Sequence, residues 1–257
     1  MLNRSQIPPF KEPTSFEFNL LPYQLIQLDN KTNVYLVEGG IQKIITCEIV
    51  FETETIAGNQ IMLPKITNSI LLNGTKNHTA YQISQIFENE GIFVSTTHNR
   101  QRSSLTIQCL TKNFNKILPI IKEILEESIF PENEIELYKK NEISNLVVQL
   151  KKCGVLANRK LGSLLYGSSH PLGQFSTASL IENIDRESIL TYYKKTYTNG
   201  TCAIFLAGNI EIDTIASINK YIGQIAFSHQ KIEPIPAALK PFKKTIEHNI
   251  ENTAGVQ

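Results

Sequence analysis

Over residues 44–51 the apolar side chains fall on every second position: Ile45, Cys47, Ile49 and Phe51 alternate with Thr46, Glu48 and Val50. A period of two is that of a strand with one buried face. Two β-rich runs precede it, 23–28 and 34–37, with Asp29-Asn30 and Gly39-Gly40 as the turns between them. Further along, the period lengthens. Pro64 opens a helical stretch over 65–73, and Gly74 closes it. Thr79 caps a helix over 80–90, whose Ile83, Ile86 and Phe87 share one face. Strands are predicted over 92–97 and 103–110, around the polar turn 98–102.

The next helix is capped at Asn113 and carries Phe114, Ile117, Leu118, Ile121 and Ile124 in register, with a kink expected at Pro119. Phe130-Pro131-Glu132 restarts the chain as a long helix to about residue 152. Beyond it the pattern reads as a helix over 155–167, a loop over 170–179, a helix over 186–197, a strongly buried strand over 202–207, and a helix over 212–222. Hairpins join the strands, and regular βαβ alternation is absent. The fold class this predicts is α+β, a largely antiparallel sheet with helices packed on one face. Residues 1–20 read as an irregular, proline-rich lead-in and 21–227 as one domain. Residues 228–257, punctuated by Pro234, Pro236 and Pro241, read as a linker.

Composition narrows the function. The chain has 257 residues, 41% of them hydrophobic, enough for a sizeable core. Lys+Arg is 25 against Asp+Glu 24, so charge gives no reason to expect nucleic acid or a membrane surface as partner. No run approaches the ~20 apolar residues of a membrane span. The first twenty residues lack the apolar centre of a Sec-type leader. Cys47, Cys109, Cys153 and Cys202 form no C-x-x-C pair, and three of them sit in apolar runs as small hydrophobes. Such usage is expected of a reducing cytoplasm. Gly39-Gly40 is a turn, not a phosphate loop. Glu52 and Glu54 are read as the solvent face of a strand end and not as an acid–base pair.

Several short motifs then occur in a telling order. Ile70-Leu71-Leu72-Asn73-Gly74-Thr75-Lys76 leads into 80–91, and Glu90-Gly91-Ile92-Phe93 steps into the second hairpin. Ile129-Phe130-Pro131-Glu132 opens the long helix, and Ser169-His170-Pro171-Leu172-Gly173 forms a loop. Tyr192 to Gly200 and then Ala207-Gly208-Asn209-Ile210 complete the set. Each motif is weak alone. Their order over about residues 21–223 resembles the first repeat of the pitrilysin/insulinase-type metallopeptidases, the inverzincin family that includes mitochondrial processing peptidase.

In active members of that family two His of an H-x-x-E-H motif and a Glu on the central helix bind zinc, and the motif's Glu activates water. Counting back from Gly74-Thr75, the motif falls on Lys65-Ile66-Thr67-Asn68-Ser69. Lys65 and Ser69 stand at ligand positions and Asn68 at that of the general base. Counting from Phe130-Pro131, the third ligand falls near Ser144-Asn145. An ammonium repels Zn²⁺, and neutral amide and hydroxyl oxygens bind it feebly. The resemblance thus implies a chain with no catalytic residue and no metal site, with Lys65, Asn68, Ser69 and Asn145 as degenerate positions. No two of His78, His98, His170, His229 and His248 lie at i, i+4, so no helical zinc motif is rebuilt elsewhere.

Catalytic and degenerate subunits pair in this family. The implied role is a non-catalytic subunit that forms a heterodimer with an intact H-x-x-E-H homologue and helps to bind a peptide substrate. Substrate in the family lies along the strand after the second helix, which here carries Val94, Ser95, Thr96 and Thr97. Proline at Ser95 or Thr97 is expected to remove an edge donor. The alternatives are a zinc endopeptidase with ligands from outside the aligned positions, and a structural scaffold like the core subunits of respiratory complexes. Thr253-Ala254-Gly255-Val256-Gln257 resembles the opening strand of a second, homologous repeat, so a further repeat is expected beyond it.

Overall fold

The computed structural model describes residues 20–228 and Ile232; the rest of the lead-in, of the linker and the run at 253–257 lie outside the described residues. Six strands form one sheet: β1 (Gln24–Gln27), β2 (Asn33–Glu38), β3 (Ile44–Glu52), β4 (Phe93–His98), β5 (Arg102–Leu110) and β6 (Thr201–Gly208). Their order is β1-β2-β6-β3-β5-β4, and every neighbouring pair is antiparallel except β2 with β6. The alternation along β3 decides which face is covered. Ile45, Cys47, Ile49 and Phe51 are buried, and the residues between them are only half-buried. Cys202, Ile204 and Leu206 of β6 and Leu105, Ile107 and Cys109 of β5 join the same buried layer. Each such aliphatic or aromatic chain contributes about 1.5–3 kcal/mol by leaving water. On the open face Tyr35 stacks on Phe205, ring centroids 5.0 Å apart.

The helices are α1 (Leu63–Ser69), α2 (Ala80–Asn89), α3 (Thr111–Glu127), α4 (Glu132–Gln149), α5 (Cys153–Tyr166), α6 (Ala178–Glu182), α7 (Arg186–Tyr193) and α8 (Thr214–Tyr221). α3 lays Phe114, Ile117, Ile121 and Ile124, all fully buried, on the sheet. The fold is α+β, with a mostly antiparallel sheet, as the hairpin pattern predicts.

The element ends differ from the sequence pattern in ways that matter for the site. α1 begins at Leu63 and stops at Ser69, short of residue 73. The residues after it turn sharply into Gly74, whose φ of +138° disfavours a side chain, and a Cβ there would meet Pro131 Cγ at 3.2 Å. α3 begins at Thr111, because Asn113 donates to Glu90 O at 2.7 Å and does not cap its own helix. The helix runs on through Pro119. The loop expected over 170–179 contains a 3₁₀ turn, Pro171–Gly173, and the start of α6, capped by Thr177. The helix expected over 186–197 ends at Tyr193 and continues as one π turn, Lys194–Thr198.

That π turn and the Phe130 corner position the site. Tyr193 and Tyr197 both point inward, ring centroids 5.9 Å apart. The Tyr193 hydroxyl donates to Ile124 O at 2.8 Å and accepts from Ser128 N at 3.1 Å. Phe130, at φ +48°, packs edge-on against Tyr193, and Arg186 donates to Ile129 O at 2.7 Å and to Phe130 O at 2.8 Å. α7 thus fixes the corner from which α4 sets out.

Candidate functional site

α1 carries the five motif positions against the end of the edge strand β4. Asn68, 2% exposed, is fully engaged there. Its Nδ2 donates to Thr97 O at 2.8 Å, and its Oδ1 accepts from the Tyr197 hydroxyl at 2.8 Å. Burial drives the Tyr197 hydroxyl well above the ordinary tyrosine range, so it stays a donor. The residue at the general-base position therefore links helix, edge strand and π turn. Lys65 forms an ion pair with Glu142 of α4. Its side chain is 45% exposed and that of Glu142 17%, so the pair adds no more than about 1 kcal/mol. Ser69 is exposed. Asn145 is exposed on α4, and Glu142, one turn earlier on that helix, reaches α1 at Lys65.

Among the described residues β4 is an outer strand, paired only with β5. Asn99 N donates to Arg102 O at 2.8 Å, which makes 99 and 102 a mutually bonded pair. In the same register, Thr97 with Ser104 and Ser95 with Thr106 exchange hydrogen bonds, and the main-chain groups of Val94, Thr96 and His98 point away from the sheet. The free donors thus belong to the even positions. Proline at Ser95 or Thr97 would break the ladder to β5 and leave the outer edge intact, contrary to the expectation drawn from sequence. Val94, Ser95 and Thr96 are half-buried and Thr97 is exposed, its hydroxyl 2.7 Å from Ser104 Oγ.

Where β4 ends, a cleft of about 210 Å³ opens, lined by Lys65, His98 and Arg100 with an apolar wall that includes Ile56, Met62 and Phe175. His98 Nδ1 lies 2.9 Å from Ser103 Oγ. Burial, then the charges of Lys65 and Arg100, push its pKa down to about 4, so the ring is neutral near pH 7. The far wall is the segment 174–176. Arg100 donates to Pro171 O and, at 3.0 Å, to Gln174 O. Phe175 lies against two guanidiniums, those of Arg100 at 5.8 Å and Arg159 at 5.1 Å. Gln174 Oε1 accepts from Gly58 N at 2.7 Å. Sequence reasoning missed Glu142, His98, Arg100 and Tyr197. Each is brought to α1 from far along the chain, and no local signal marks any of them.

The donors at the motif positions do not fit zinc. Lys65 is a cation, both amide atoms of Asn68 are committed, and Ser69 and Asn145 are neutral and exposed. Among the described residues no three His, Cys, Asp or Glu side chains come together so that they could hold a metal ion. A larger cavity, about 800 Å³, lies between the end of β3 and α7 and is lined by Glu52, Glu54, Asp185 and Glu187. There Glu54 pairs with Lys195 at 2.6 Å, and Asp185 caps α7 by accepting from Ser188 N at 2.7 Å. Glu54 and Asp185 thus have partners within the fold, and the smaller cleft, which adjoins the motif positions, is taken as the candidate site.

A sheet covered on one face by helices, with a short helix delivering motif positions to the end of an outer strand, defines a peptidase-like domain. Comparison with known proteins agrees. Residues 63–159 match the model of the insulinase family (peptidase family M16), and residues 183–256 match that of the peptidase M16 inactive domain. An uncharacterized zinc protease of Rickettsia felis is 24% identical over 190 residues, 70% of this chain and 44% of that protein. The non-peptidase homolog YmxG of Helicobacter pylori is 23% identical over 164 residues, 63% of this chain and 38% of its own. The chain spans less than half the length of these relatives. The crystal structure of a peptidase M16 inactive domain from Pseudomonas fluorescens superposes with a TM-score of 0.71 at 20% identity, covering 83% of this chain and 53% of that one. The chain belongs to the insulinase (M16) peptidase family.

Proposed function

We propose that this chain is a catalytically silent, peptidase-like subunit that pairs with an intact H-x-x-E-H homologue and presents β4 to an extended peptide. The observation that carries the reading is Asn68, whose two amide atoms are spent on Thr97 O and the Tyr197 hydroxyl where the family places its general base. The ion pair of Lys65 with Glu142 supports it, since a lysine stands at a ligand position and takes up the nearby carboxylate. So does the outer edge of β4, which keeps backbone groups for pairing however the catalytic side chains change. The names of the relatives divide, one a zinc protease and one a non-peptidase homolog, and the donor chemistry favours the second.

The purified chain is expected to carry no stoichiometric zinc by elemental analysis and to cleave no peptide. Mixed with the intact homologue from its own genome, it is expected to co-elute in size-exclusion chromatography. Chelator-sensitive hydrolysis by this chain alone would overturn the reading. The proposed compartment is a reducing cytoplasm. The reading rests on the use of cysteine: Cys47, Cys109 and Cys202 are free, buried thiols that serve as small core groups.

A further inference from the structure

The cleft at the end of β4 has a chemistry of its own. Two cations, Lys65 and Arg100, face it, with Glu142 as the carboxylate beside Lys65. Among the described residues Arg100 has no carboxylate partner: its guanidinium donates to two main-chain carbonyls and lies over the face of Phe175. The cleft thus holds one positive charge with no carboxylate against it among the described residues, beside the apolar side chains of Ile56, Met62 and Phe175. We propose that this cleft is a carboxylate-binding pocket, in which Arg100 and Lys65 receive the carboxylate of a peptide lying along β4.

Burial, and after it the charges of Lys65 and Arg100, hold the neighbouring His98 ring neutral near pH 7, so it adds no charge of its own to the cleft. A charge-assisted hydrogen bond in a half-buried cleft is stronger and shorter than a neutral one. The volume, about 210 Å³, suits one residue's end group and not a long segment. The pocket opens where the free donors of β4 run out, at His98, so an edge-bound strand would deliver its end group or last acidic side chain into it. In this respect the positions that lost their ligands would have exchanged one cation for another, with the attraction for a carboxylate kept. The pocket rests on the edge-strand reading only for how the carboxylate arrives.

The test can therefore separate the two. The 257-residue chain is titrated with N-acetylalanine, with N-acetylalanine amide, and with N-acetyl-aspartic acid α-amide, and the His98 ring resonances are followed by NMR at pH 7. At least one of the two carboxylates is expected to give a saturable shift with about tenfold tighter binding than the amide. Tighter N-acetylalanine binding would assign the pocket to a peptide C-terminus, and tighter aspartate binding to an acidic side chain. The variant R100Q, which removes the uncompensated charge, is expected to lose the preference for carboxylate over amide, and an undiminished preference in a folded R100Q chain overturns the proposal. No saturable shift with either carboxylate, or equal binding of acid and amide, overturns the proposal. A T96P chain, by contrast, is expected to bind these small probes as the native chain does and to lose only longer peptides, so failure of the edge reading would show in the second measurement alone.

Discussion

At the residue scale, Asn68 is where stability and lost chemistry meet. Asn68→Ala would leave Thr97 O without its side-chain donor and the buried Tyr197 hydroxyl without its acceptor. A loss of about 1–3 kcal/mol is expected, read as a lower urea midpoint. Asn68→Glu, which restores the carboxylate of the motif, is expected to be no gentler, because it sets a charge beside the Thr97 carbonyl with no cation bonded to it. Stability equal to the native chain in both variants would remove Asn68 from this role. His98 supplies a pH dependence. Its folded pKa of about 4 lies below the ordinary 6.5, so on acidification the unfolded chain takes the proton first. Stability is full above about pH 6.5 and declines between about 6.5 and 4. Urea midpoints across that window should slope less in His98→Gln than in the native chain.

At the element scale, the period-two pattern identified β3, whose alternate residues are buried, and the polar turn 98–102 located β4 and β5 on either side of it. The same pattern is silent on which edge of a strand is bonded, and the hydrogen-bond register of β4 with β5 supplied that. It leads to a contrast between adjacent substitutions. Thr96→Pro removes an outward donor and is expected to reduce capture of an extended peptide by the reconstituted pair while leaving the melting temperature close to native. Ser95→Pro removes a donor to β5 and is expected to lower the melting temperature distinctly more. If Ser95→Pro is the benign one, the register assignment is wrong. The shortened α1 and the π turn after α7 were likewise illegible, since both follow from where Gly74 and the two inward tyrosines must sit.

At the scale of the whole molecule, stability is uneven. No residue of α5 is buried, and Leu161 and Leu165 on it are 53% and 43% exposed. The helix is held chiefly by the segment after it: Ser163 Oγ donates to Gly173 O at 2.9 Å, and Phe175 lies against Arg159. Native-state hydrogen exchange is expected to show α5 amides exchanging well before those of α3 or β3, because few buried apolar contacts oppose its local opening. Protection of α5 equal to that of α3 would contradict this. Phe175→Ala should speed α5 exchange further, since it removes the ring packed against Arg159 while the buried sheet layer stays untouched.

The sequence by itself determined the class of fold, the existence and approximate place of most elements, and the family. These depend on local periodicity, on caps and turn residues, and on motifs in a fixed order. It also determined that Lys65, Asn68 and Ser69 cannot hold zinc, because that follows from the chemistry of each side chain alone. Only the tertiary structure decided where β6 enters the sheet, between β2 and β3, since strand order is set by contacts between segments far apart in sequence, as in the pairing of Val34 with Ile204 and of Ile49 with Ile204. It alone joined Asn68 to Tyr197 and Lys65 to Glu142, and gathered His98 and Arg100 beside them. Side chains that meet from 77 or 129 positions apart leave no periodic trace, because what brings them together is the packing of separate elements on the covered face of the sheet.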